Sequence, residues 1–203
     1  MLNLKRMMAV AFCAFAFSPL LFAQGDKQSK DAPDAKQQAQ AAPAASQAAP
    51  AAKPADVSSI DAIMAATYDV ISGPAGKQRD WDRFRSLFVS GARLAALVPK
   101  KEGGYDARVF TPDDYAKLAD GYFQKESFFE RESARHADRF ANIAQVFSTY
   151  ESRHDPKDPK PFARGINSFQ LFNDGKRWWV VTIYWQEESA DAPLPNEFLP
   201  KGQ

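Results

Sequence analysis

Apolar positions recur at two different periods along this chain, and the change of period divides it. Ile60, Ile63, Met64, Thr67, Tyr68 and Ile71 keep the three-to-four spacing of a helix face. Ser58 or Ser59 is placed to cap that helix, and Gly73-Pro74 to end it. Asp80 heads a second series, Trp81, Phe84, Leu87 and Phe88, closed by Gly91. Thr111-Pro112-Asp113-Asp114 opens a third helix with a cap, a proline at the first helical position and acids near the positive end of the dipole. Tyr115, Leu118, Ala119, Tyr122 and Phe123 form its apolar side. Between the second and third helices, residues 92–98 and 105–110 read as a hairpin around Lys101-Glu102-Gly103-Gly104.

Later in the chain the period shortens to two. Runs 162–172 and 177–186 flank Asn173-Asp174-Gly175-Lys176, and Asp-Gly tolerates the positive φ that tight hairpins need. The run from Trp178 to Trp185 is almost wholly aromatic or β-branched, which predicts a strand in the middle of a sheet and covered on both faces. Residues 128–140 and 143–153 read as two further antiparallel strands turning near Asn142. Glu130 to Asp138 also has helical propensity, and in a helix Glu132 and His136 would pair at i,i+4. The order predicts an α+β fold, with about three N-terminal helices packed on a cone-shaped, strongly curved antiparallel sheet.

Composition marks off the ends. Lys5 and Arg6 precede an apolar stretch from Met7 to Phe17 that Ser18-Pro19 breaks, and Leu21-Phe22-Ala23 suits cleavage before Gln24. Residues 1–23 are therefore expected to be a signal peptide, and the protein periplasmic or secreted. Residues 24–57 are rich in Ala, Gln, Pro and Lys with no aromatic side chain, which predicts a disordered linker. Residues 58–188 form the expected domain and 189–203 an extended, proline-punctuated tail. The single cysteine, Cys13, lies in the signal, so the cleaved chain has neither a disulfide nor a thiol nucleophile. Lys5 and Arg6 leave with the signal, and the chain after cleavage carries a formal charge of −1. That balance argues against nucleic acid as a partner. No later run is long and charge-free enough to predict an integral membrane segment.

Several stretches, in order, resemble the nuclear transport factor 2-like, or SnoaL-like, superfamily. They are Asp80-Trp81-Asp82-Arg83-Phe84-Arg85-Ser86-Leu87-Phe88 and Gly91-Ala92-Arg93-Leu94, then the run from Asn142 to Glu151, then Gly165 to Leu171, then Asp174 to Val181. The flavour is that of exported bacterial members of unassigned activity. The resemblance implies a bent sheet wrapped against helices with a pocket at its open end, and a homodimer. Members include isomerases, cyclases, dehydratases and epoxide hydrolases beside non-enzymatic binding and dimerisation domains, so the fold does not choose the function. Enzymes of this kind place an Asp or His base inside the cone, and the final strand here offers no carboxylate before Glu187.

If residues 128–140 are extended, Glu130, Glu132, His136 and Asp138 share one face, and Arg131, Arg135 and Arg139 the other. A buried Glu–His group of that kind can act as acid and base, which makes Glu132 and His136 the candidate catalytic pair. The more ordinary reading of the same strand is a solvated, salt-bridged sheet edge. In the last strand, alternation places Thr182, Tyr184 and Gln186 opposite Trp179, Val181, Ile183 and Trp185. Tyr150, Ser168, Thr182, Tyr184 and Trp81 are the candidate lining of an apolar pocket for a small hydrophobic or aromatic molecule. His136 and His154 are the only histidines, too few and too scattered to predict a metal site, and no motif calls for a cofactor. The expected role is an exported small-molecule-binding or dimerisation domain. An acid–base isomerase, lyase or hydrolase, using Glu130, Glu132 or His136 with Tyr150 or Tyr184, is the alternative.

Overall fold

The computed structural model describes residues 50–200. The expected signal and the linker up to residue 49 lie outside the described residues. The helices are α1 (Pro54–Val57), α2 (Ile60–Ile71), α3 (Trp81–Ser86) and α4 (Pro112–Phe123). The strands are β1 (Phe88–Pro99), β2 (Tyr105–Phe110), β3 (Phe129–Phe140), β4 (Ile143–Arg153), β5 (Ala163–Asn173) and β6 (Trp178–Glu187). Together they make the expected α+β architecture.

The helix starts follow their caps. Ser59 Oγ accepts from the Ala62 amide at 3.0 Å, and Asp80 Oδ1 from the Arg83 amide at 2.9 Å. Thr111 and Asp114 form a reciprocal capping box. Gly91 does not end a helix. It lies inside β1 at φ 81°, where the register against β6 slips between Phe88 and Arg93, so it serves a bulge. Residues 129–140 are extended, because pairing along β4 outweighs their helical propensity.

The six strands form one curved sheet in the order β2-β1-β6-β5-β4-β3. The Asp-Gly hairpin joins the two central strands β5 and β6, as expected, with Gly175 at φ 92°. One ladder differs from an all-antiparallel sheet: β1 and β6 run parallel. α4 carries the chain from edge strand β2 to the opposite edge strand β3, and the meander that follows brings β6 back alongside β1 in the same direction.

The helices cover one face of this sheet, here called the inner face. Ile63 and Met64 of α2, Phe84 of α3, and Phe88, Val146, Phe169 and Val180 of the strands are all at most 2% exposed. This continuous apolar layer is the main source of stability. The opposite, outer face is only partly covered, which departs from the expectation for β6. Tyr184 is 41% exposed, because the tail shields that face over a limited area.

Order begins before residue 58. Asp56 and Val57 of α1 are buried, at the end of the segment expected to be linker. Arg83 Nε and Nη2 donate to the two Asp56 carboxylate oxygens at 2.7 and 3.0 Å, and this guanidinium holds the Asp56 carboxyl below the usual range. Breaking a mostly buried pair strands the other charge. Arg83→Ala is expected to lower stability by about 2 kcal/mol. A urea midpoint equal to that of the parent would contradict it.

The tail is not simply extended. Ser189 and Ala192 form a bridge, and Asn196–Phe198 makes a 3-10 turn whose Phe198 carbonyl accepts from Thr149 Oγ1 at 2.6 Å. Among the described residues no helix is long and apolar enough to cross a membrane.

Candidate functional site

Two bulges decide which side chains meet. In β3 the register slips at Ser133: Glu132 faces Tyr150, but Ala134 faces Thr149. In β6 it slips at Val181: Gln170 faces Thr182, but Leu171 faces Val180. A bulge inserts one residue and reverses the alternation beyond it. Glu130, Glu132 and Arg135 therefore share the inner face, and His136 and Asp138 turn to the outer one. Trp179 likewise joins Thr182 and Tyr184 on the outer face, not Ile183 and Trp185.

On the inner face two rows run directly across the sheet. One is Glu132, Tyr150, Gly165 and Glu187, and the next is Arg135, Ser148, Asn167 and Trp185. Glu130 stands opposite Ser152 beside them. α2 lowers the buried Tyr68 onto this patch from above, one turn before its end.

The polar groups form one directional network. Asn167 Nδ2 donates to Tyr68 Oη at 3.1 Å and to Glu130 Oε1 at 3.4 Å. Ser152 Oγ donates to Glu130 Oε2 at 2.8 Å. Ser148 Oγ gives its proton to Glu132 Oε2, so the 2.7 Å contact between Tyr68 and Ser148 has the tyrosine as donor. Glu132 is closed off by Arg135, whose Nε donates to Oε1 at 2.8 Å and whose Nη1 also reaches Asp61.

Among the described residues Glu130 has no such cation. The residue keeps some exposed surface, but its carboxyl group is enclosed, and burial pushes its pKa up to about 7 against the lowering effect of Ser152 and Asn167. Burial also raises Glu187. Tyr150, Tyr68 and Tyr115 are each raised by burial first and by the Glu130 charge second. These three phenols stay protonated and are available only as neutral donors or acceptors. The cluster thus combines a carboxyl that changes charge near neutrality with hydroxyls that do not.

The structure separates the residues expected to form one site. Glu132 is on the inner face but is neutralised in an ion pair. His136 is on the outer face with its side chain 63% exposed, 3.3 Å from Asp138. The two do not meet. Tyr150 lies in the inner cluster, whereas Ser168, Thr182 and Tyr184 face outward. Trp81 belongs to the helix layer, with its indole N–H on Asp120 at 3.0 Å and its ring stacked on Phe123. Sequence patterning alone does not mark Asn167, Ser152, Tyr68 or Glu187 as site residues. A partial signal exists for Asn167: it is the polar member of the inward-facing set Gly165, Asn167, Phe169 and Leu171. Among the described residues no group of three or more His, Cys, Asp or Glu is placed to hold a metal ion.

No family model matches this sequence, and no curated protein does. Solved structures do match it. An NTF2-like protein of unknown function from Shewanella baltica OS155 is 11% identical, with a TM-score of 0.43 over 63% of this chain and 90% of that one. Another from Silicibacter pomeroyi DSS-3 is 13% identical, with a TM-score of 0.44 over 64% and 94%. A protein of unknown function with a cystatin-like fold from Nostoc punctiforme is 10% identical, with a TM-score of 0.49 over 64% and 90%. The likeness is one of fold.

Proposed function

We propose that this chain is an exported domain that holds a small apolar or aromatic molecule against the inner face of its sheet, with the Glu130 carboxyl as polar anchor. One observation carries the reading: an enclosed carboxyl, paired with no cation among the described residues and pushed up to about 7 by burial, between the neutral donors Ser152 and Asn167. Such a group donates to a ligand oxygen when protonated and accepts from a ligand hydroxyl when ionised. Apolar neighbours with a few placed polar groups are the usual make-up of a small-molecule site.

Acid–base catalysis by an isomerase, lyase or hydrolase is the second reading. It is favoured by the same carboxyl, because a catalytic acid or base works best with a pKa near the working pH. Glu130 then takes the role expected of Glu132 and His136, and Tyr150 is the neutral donor. A homodimer through the outer face is also proposed. Phe140, Ile143 and Phe172 are direct neighbours in register there and are 79%, 59% and 38% exposed.

Native mass spectrometry of residues 24–203 recovered from a bacterial periplasm tests the main reading. The parent is expected to carry a small-molecule adduct that Glu130→Ala loses while keeping its circular-dichroism spectrum. A bare protein mass at every condition between about pH 6 and 8 would set the proposal aside.

A further inference from the structure

The outer face carries a second constellation, separated from the Glu130 cluster by the thickness of the sheet. Phe147, Ser168 and Tyr184 stand directly opposite one another on β4, β5 and β6. Leu97 and Ile166 extend this floor. The tail folds back over it and is fixed at two points. The Leu194 amide donates to Glu188 Oε1 at 3.0 Å, and Arg164 holds the same carboxylate. Further along, the Phe198 ring rests 5.6 Å from that of Phe147. Between floor and tail lies a groove of about 260 Å³, with Pro193, Leu194 and Pro195 as its wall.

Gln186, the Tyr184 hydroxyl and Glu188 also line the groove, but Ser168 differs from them in being buried and unpaired. It is 2% exposed, and its Oγ is the buried side-chain oxygen without a hydrogen-bond partner among the described residues. Buried hydroxyls are almost always paired, because leaving one unpaired forfeits its hydration. Tyr68, Ser148 and Ser152 on the inner face are all satisfied by protein groups. Ser168 is the buried hydroxyl on the groove's side of the sheet.

We propose that this groove binds a small neutral ring compound bearing one hydroxyl or carbonyl oxygen, which bonds to Ser168 Oγ. The volume admits one ring with a short substituent, below the size of a typical drug site. Phe147 and Tyr184 supply aromatic contact. Glu188 at the rim disfavours an anion, and it already holds Arg164. A bond to the buried Ser168 hydroxyl sets orientation, and discriminates against a ligand that leaves the hydroxyl unpaired.

The test is a pair of titrations of residues 24–203, followed by amide nuclear magnetic resonance, with p-cresol and its hydroxyl-free match p-xylene. p-Cresol is expected to give saturable shifts at Ser168, Tyr184 and Leu194 and to bind about five- to tenfold more tightly than p-xylene. Ser168→Ala should bring the two within about twofold. Leu194→Trp, which fills the groove, should abolish both. Glu130→Gln should change neither, so failure of the inner-face reading leaves this one standing. Shifts that never saturate, shifts that map to Tyr68 and Tyr150, or a Ser168→Ala protein that keeps the preference would each overturn the proposal.

Discussion

Gly165→Ala is expected to cost about 3 kcal/mol or more, and Gly165→Val to prevent stable folding. A Cβ at Gly165 would lie 2.2 Å from the Gln186 carbonyl oxygen, 2.8 Å from Glu187 Cα and 2.8 Å from the Tyr150 hydroxyl. Two of these three atoms are backbone of the neighbouring central strand. They move only if β5 and β6 separate, which breaks the ladder at the core of the sheet. The glycine is required by close approach, since its φ is not in the left-handed region. It also leaves room for the hydroxyl of Tyr150, its partner on β4. Urea unfolding of Gly165→Ala beside Gly121→Ala checks the claim. Gly121 sits in α4 with nothing within 4 Å of its Cβ position, so its alanine variant should gain up to about 1 kcal/mol from helix propensity. Equal midpoints for Gly165→Ala and the parent would refute the steric account.

The same two bulges explain what the sequence disclosed and what it hid. Element type was legible because it rests on local chemistry: the cap at Thr111, the Asp174-Gly175 turn and the β-branched run after Trp178. Side-chain direction was legible only up to the first irregularity. Strict alternation places Glu132 and His136 together, and holds as far as Ser133. The extra residue there sends His136 outward and brings Arg135 beside Glu132, converting a supposed acid–base pair into a salt bridge. In β6 the bulge at Val181 acts the same way on Trp179. Nothing in Arg131-Glu132-Ser133-Ala134 announces a bulge, because none of the four is glycine. The burial of Glu130 was equally hidden. It depends on Tyr68 and Asn167, which are 62 and 37 positions away and reach it only through the tertiary fold.

Glu130→Gln is expected to make the protein more stable at about pH 8, by about 1–3 kcal/mol, and to leave it nearly unchanged at about pH 5. The Glu130 carboxyl rises from an ordinary 4.5 to about 7 on folding. Between those values the native protein holds a proton that the unfolded chain has released. Stability therefore falls as pH rises through this window and is level, with the full penalty in place, above about 7. A neutral amide has no such penalty, so the variant's curve should descend less steeply than the parent's. Glu187, raised by burial, adds a contribution of the same sign in both proteins. Asp56 and Glu188 act oppositely: Arg83 and Arg164 hold them ionised, and their stabilisation is lost only as pH falls through the depressed carboxylate range. Urea midpoints across this range at constant ionic strength separate these effects. Parallel curves for parent and variant would mean that Glu130 titrates like a solvated carboxylate. A group that lowers stability at neutral pH, yet is held between two oriented donors, is easier to understand as kept for binding than for folding. If the two curves diverge as expected, the same Glu130→Gln protein is the one to examine for loss of the proposed inner-face ligand.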